Sequence, residues 1–115
     1  MKFAILIHGD EKAEAARSEA EHQRIMAGHI KFNSEMRAAG KMLGGERLRP
    51  ESESTRLRLK GGQRQITDGP FAETKEALGG FYLVDCASRE EAIELASRVV
   101  LHEHGFVEVR PVWVM

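Results

Sequence analysis

KFAILIH, residues Lys2 to His8, is an unbroken apolar run with β-branched content. In an extended chain Phe3, Ile5 and Ile7 point to one side and Ala4 and Leu6 to the other, so the segment predicts a strand buried on both faces. The same two-sided character recurs in FYLVDC, Phe81 to Cys86, where Phe81 and Leu83 alternate with Tyr82 and Val84. It recurs again in the closing stretch Phe106 to Val114, where Val107, Val109 and Trp113 are joined by Val112 and Val114.

Between these strands the signals change period. Ser18 followed by Glu21 forms a capping box and opens a helix that ends near Gly40, a residue tolerant of the left-handed exit conformation. Ile25, His29, Phe32, Met36 and Ala39 share one face of it at spacings of four and three. Ser88 and Glu91 form a second capping box, with Ile93, Ala96 and Val100 as the expected buried edge. Gly9 to Arg17 reads as a loop or a frayed first turn.

Met42 to Arg49 reads as a strand interrupted at Gly44 and Gly45, where a bulge or close backbone approach is expected. Thr55 to Lys60 alternates Thr55, Leu57 and Leu59 with Arg56, Arg58 and Lys60. Gly61 and Gly62 then supply the positive φ of a tight hairpin into Gln63 to Thr67. Two helices and four or five strands in this order predict an α+β domain spanning residues 1–115, with both helices on one face of an antiparallel, ferredoxin-like sheet. Those helices cover only one face. The other is expected to be covered by a second copy, a homodimer through the sheet face.

The totals narrow the function classes. A chain of 115 residues, 42% hydrophobic and 30% charged, can bury one core. Its net charge of −1 comes from interleaved signs, which gives no basic face for a nucleic acid. No apolar run approaches the roughly 20 residues of a membrane span, and Met1 to His8 is too short and weakly basic for a signal peptide, so a cytoplasmic location is expected. Cys86, the single cysteine, reads as a small buried hydrophobe. No phosphate-binding glycine fingerprint, nucleophile elbow or paired CxxC appears, so no cofactor is expected.

The segment Ile66 to Gly80, ITDGPFAETKEALGG, resembles the signature of the YCII-related proteins, in the branch named for its DGPF core, here Asp68 to Phe71. KFAILIHGDE at the start, AAG at Ala38 to Gly40, GGFYLVD at Gly79 to Asp85 and VEVRPV at Val107 to Val112 follow in order as further landmarks. The resemblance implies a dimeric α/β barrel of ferredoxin-like subunits, an acid-base pair formed by a His and an Asp near a cleft, and a functional link to alternative sigma factors.

Two readings of Asp68 stand side by side: an Asx turn set up by Gly69 and Pro70, or a carboxylate at a pocket mouth that activates a neighbouring base. Phe71 is a hydrophobic plug or a stacking platform. His29, a titratable ring inside an apolar stripe, is a satisfied core histidine or the base itself, with His8 and His22 as weaker candidates. Glu73, Lys75 and Glu76 line an entrance or form a solvated charge run. Arg110, set among valines, calls for a carboxylate or an anionic ligand. His102, Glu103 and His104 have no further ligands in reach of the sequence pattern, so no metal site is expected.

Two functions follow. One is a cofactor-free acid-base enzyme, of isomerase or lyase type, in which Asp68 and a histidine, preferably His29, move a proton on a small organic acid or aromatic molecule. Phe71, Glu73, Lys75, Arg110 and His8 would contact that substrate. The alternative is a non-enzymatic ligand-binding or regulatory module associated with a sigma factor.

Overall fold

The computed structural model describes residues 1–71 and 75–115. The chain runs through β1 (Lys2–Gly9), α1 (Glu11–Ala16), α2 (Glu19–Ala38), β2 (Met42–Arg47), a single 3-10 turn (Glu51–Glu53), β3 (Thr55–Lys60), β4 (Gln63–Asp68), β5 (Ala77–Asp85), α3 (Arg89–Ser97) and β6 (Gly105–Pro111). Four strands form one antiparallel sheet in the order β2-β5-β1-β6. β3 and β4 form a separate two-stranded ribbon.

The two central strands, β5 and β1, are two of the three read as apolar on both sides, and the third, β6, lies at the edge. Phe3 and Ile5 of β1 and Val84 of β5 are buried against Phe32 and Met36 of α2 and Ala92, Leu95 and Ala96 of α3, in one continuous core. Ile7, Tyr82, Val107 and Val109 pack at its margin. Cys86 lies in this core, and its burial raises the thiol pKa. Fully burying a side chain of the size of Ile5 or Phe32 stabilises the fold by about 1.5–3 kcal/mol, so this layer holds sheet and helices together.

Both capping boxes place their hydroxyls as the sequence requires. Ser18 Oγ accepts from the Glu21 amide at 3.2 Å, and Ser88 Oγ from the Glu91 amide at 3.2 Å. Gly61 and Gly62 have φ of 59° and 78° and turn the ribbon. At Gly44 the register against β5 slips by one residue, the expected bulge.

Several expectations need correcting. Gly9 to Arg17 is not a loop: Asp10 Oδ1 accepts from the Lys12 and Ala13 amides and caps α1, which makes three α-helices among the described residues. Ile93 and Val100 are exposed, 50% and 57%, because α3 turns its Ala92, Leu95 and Ala96 edge to the core and Val99, just past its end, takes the buried place. Ala39 is exposed at the end of α2. The last strand, expected to reach Val114, runs only to Pro111, with one further bond from the Val112 amide to the Lys2 carbonyl at 3.0 Å. Among the described residues there are six strands, and their sheet does not close into a barrel. Among the described residues no helix is long and apolar enough to cross a membrane.

Register fixes what the second face carries. Ile5 lies opposite Tyr82 and Val109 on the helix side, so Ala4, Leu6 and His8 of β1, Phe81 and Leu83 of β5, and Phe106, Glu108 and Arg110 of β6 lie on the other. The chain is only 19 Å thick along its shortest axis, and its radius of gyration is 16.1 Å, against about 13 Å for a compact chain of this length.

Candidate functional site

His8 sits at the carboxyl end of β1 on the helix-free face. A bulge in the pairing of β1 with β5 falls between Ile7 and His8 and sets His8 opposite Leu78. On its other side it faces Phe106 of β6, whose ring stacks on the imidazole at 4.5 Å with an interplanar angle of 17°. Gly105 makes this junction possible: its φ is 153°, and a β-carbon there would collide with the His8 carbonyl.

His8 lines an open cleft of about 500 Å³ together with Arg49, Glu51, Glu53, Ser54, Arg56, Glu76 and the apolar surfaces of Leu48, Pro50, Ala77 and Leu78. Its Nε2 is shut off from solvent and has no hydrogen-bond partner among the described residues. A buried polar atom left unpaired costs about 1–3 kcal/mol, so a small turn of the ring that opens this nitrogen to the cleft would let a ligand satisfy it.

The cleft wall is tied together by the Asp68 to Phe71 segment. Asp68 Oδ1 accepts from Thr55 Oγ1 at 2.9 Å, and the Gly69 amide donates to the Ser54 carbonyl at 2.8 Å. A β-carbon at Gly69 would strike the Glu51 carbonyl, so glycine lets the segment lie against the 3-10 turn. The Gly69–Pro70 peptide bond is cis. Half-buried Phe71 lies under Arg56, whose guanidinium carbon is 3.5 Å from the ring centroid. Arg56 donates to Glu51 at 3.0 Å, and the Glu51 amide donates to Glu11 Oε1 at 2.8 Å, which joins α1 to the same wall.

The charges of the cleft differ in how they are engaged. Arg49 Nε reaches both Glu53 oxygens at 2.9 Å, and Glu51 is held by Arg56. Glu76 makes no hydrogen bond or ion pair with a described residue. An imidazole and a carboxylate thus share one cleft, the carboxylate and one ring nitrogen uncommitted, which is the equipment of proton transfer.

His29 is placed elsewhere. It lies on the sheet-facing side of α2, as its stripe implies, and its Nδ1 is 2.9 Å from Tyr82 Oη. Burial raises the Tyr82 pKa, so the phenol keeps its proton, and it pairs with the neutral ring as donor or acceptor according to the tautomer. Burial, and then the Arg47 charge, lower the His29 pKa. The described contacts do not bring His29 and Asp68 together: one is bonded to β5 beneath the sheet, the other to β3 on the ribbon.

Arg110 is exposed on the open face and ion-paired with Glu108 two residues earlier on its own strand. Lys75 is exposed, and Glu73 lies outside the described residues. His22 is half-buried on α2. His102 and His104 line a different cavity, and among the described residues no three His, Cys, Asp or Glu side chains converge to hold a metal ion. Sequence reading missed Arg49, Glu51, Glu53 and Ser54 as neighbours of His8. Their only signal was a dense charge cluster after a strand.

The YCII-related domain model matches residues 1–115. The chain is 40% identical over 113 residues to an uncharacterised protein of Rhizobium meliloti (strain 1021), a match that covers 96% of this chain and 91% of that relative.

Proposed function

This chain belongs to the YCII-related family, and from the geometry of its own cleft we propose that it is a cofactor-free acid-base enzyme in which His8 moves the proton. The observation that carries this reading is His8 itself, which lines a cleft of ligand size and has an Nε2 that no described residue satisfies. Opened to the cleft, that nitrogen takes the proton of a substrate O–H or acidic C–H, and Glu76, which lines the same cleft, is a second acceptor. The mixed wall, in which Leu48, Pro50, Ala77 and Leu78 stand among charged side chains, suits a small organic acid, phenol or lactone. In this reading Asp68 holds the wall through Thr55, and His29 is a structural partner of Tyr82.

A second copy covers the open face. The support is the half-buried apolar row Leu6, Phe81 and Leu83, continued by the exposed Phe106, on a layer 19 Å thick, since apolar patches of that kind are rare on monomers. Two ferredoxin-like subunits placed sheet to sheet would enclose His8 and keep bulk water from the proton transfer.

A thermal-shift screen with small carboxylic acids, phenols and lactones tests the site on wild type, His8→Gln and His29→Gln. A ligand whose stabilisation vanishes in His8→Gln and persists in His29→Gln is the expected result. Loss in His29→Gln alone would move the site beneath the sheet. Binding at His8 without turnover would support the regulatory-module alternative over the enzyme.

A further inference from the structure

A second cavity, of about 620 Å³, lies where α1 meets α2 and the loop before β6, and shares no lining residue with the His8 cleft. Its wall holds Arg17, Glu21, Arg24, His102 and His104. We propose that this cavity binds a small oxyanion, a phosphate or a carboxylate, through Arg17 and His102.

The two arginines are in different states. Arg24 is committed: it chelates Glu21 at 3.0 and 3.1 Å and donates to the Leu101 carbonyl at 2.7 Å. That fork cancels the charge of Glu21 and pins the loop to α2. Arg17, half-buried between the two helices, has a side chain that makes no hydrogen bond with a described residue, and its Nη2 is closed to solvent. A guanidinium is a pure donor and cannot shed its proton, so with Nη2 sealed off its remaining N–H groups are the ones left to meet an anion in the cavity.

His102 supplies a second donor. Its Nδ1 accepts from the His104 amide at 3.1 Å. The neutral ring therefore carries its proton on Nε2. Burial, then the charge of Arg17, lower the His102 pKa, so the ring is held neutral and the surroundings are electropositive. Two donors, one of them charged and neither with an acceptor among the described residues, select an anion over a cation. Glu103, the remaining carboxylate of the wall, is exposed.

Calorimetric titration of the full chain with inorganic phosphate and, separately, with acetate at pH 7 and low salt tests this directly. Saturable binding is expected, weakened about tenfold or more in Arg17→Gln, the loss of one charge-assisted hydrogen bond, and unchanged in Arg64→Gln, an exposed cation of β4 that lines neither cavity. Tighter phosphate assigns a phosphoryl ligand, and tighter acetate a carboxylate. The bound anion should also raise the titration midpoint of the His102 ring in an NMR pH series, by favouring the imidazolium. Unfolding curves keep the result interpretable, since Arg17→Gln removes a poorly solvated charge and should melt no lower than wild type. Absence of saturable binding by either anion, or binding indifferent to Arg17→Gln, would overturn the proposal.

Discussion

Replacing Tyr82 by Phe removes one hydroxyl and leaves the ring where it is, tilted 58° against Phe32 at 4.9 Å. The atom lost is the partner of His29 Nδ1 at 2.9 Å. Both groups are neutral and half-buried, so the bond contributes about 1 kcal/mol, and His29 has enough exposure to find water in its place. With an unfolding entropy of about 2 cal/mol/K per residue, that corresponds to a melting temperature lower by about 4 °C. Chemical denaturation of wild type, Tyr82→Phe, His29→Leu and the double variant should give a coupling energy of about 1 kcal/mol at pH 8. The pH dependence has a definite sign. Because the folded His29 pKa lies below 6.5, the unfolded chain takes up the proton first as pH falls. The stability due to the neutral ring is complete above pH 6.5 and is lost as the pH falls through the lowered folded value. His29→Leu should therefore flatten the stability profile on the acid side. A coupling near zero at pH 8, or an unchanged acid slope in His29→Leu, would refute the structural role given to this histidine.

Gly105→Ala should destabilise by about 2 kcal/mol or more, since the residue sits at φ 153° against the His8 carbonyl; urea unfolding measures it. Asp68→Asn retains the Oδ1 that accepts from Thr55, so it should cost less than about 1 kcal/mol and leave ligand binding at His8 within twofold; a complete loss of turnover would restore Asp68 as the acid-base partner. Leu83→Glu places a charge on the open face; sedimentation velocity should show wild type as a dimer and this variant as a monomer.

The legible parts of this fold were those where one residue's chemistry settles the backbone. KFAILIH could only be an inner strand, because both of its alternating sets are apolar. Ser18 and Ser88 announced helix starts because a hydroxyl followed by a carboxylate three residues on satisfies two free amides. α1 was illegible because its six residues carry only alanines on the apolar side, too little periodicity to register, although Asp10 was in place as its cap. The edge of α3 was misassigned for a related reason. Ile93 and Val100 are larger than Ala92 and Ala96, but the close approach of helix to sheet selects the small residues.

The site was harder to read than the fold. His29 stood out because a polar ring interrupts an apolar stripe, yet one tyrosine hydroxyl from a strand 53 residues away satisfies it. His8 attracted less notice at the end of a strand. Its setting is assembled from Arg49 to Arg56, from Glu76 to Leu78 and from Phe106, segments that meet only through the sheet order β2-β5-β1-β6. The Asp68 to Phe71 motif marks the neighbourhood of the cleft through its bonds to Ser54 and Thr55 and its ring beneath Arg56.

The most direct measurement of proton transfer by His8 is deuterium wash-in, followed by proton NMR of a stabilising lactone or carboxylic acid held in D₂O with sub-stoichiometric protein. The C–H beside the carbonyl should exchange with wild type and with His29→Gln, and lose its catalysed exchange in His8→Gln. Catalysed exchange that proceeds undiminished in His8→Gln would contradict the account.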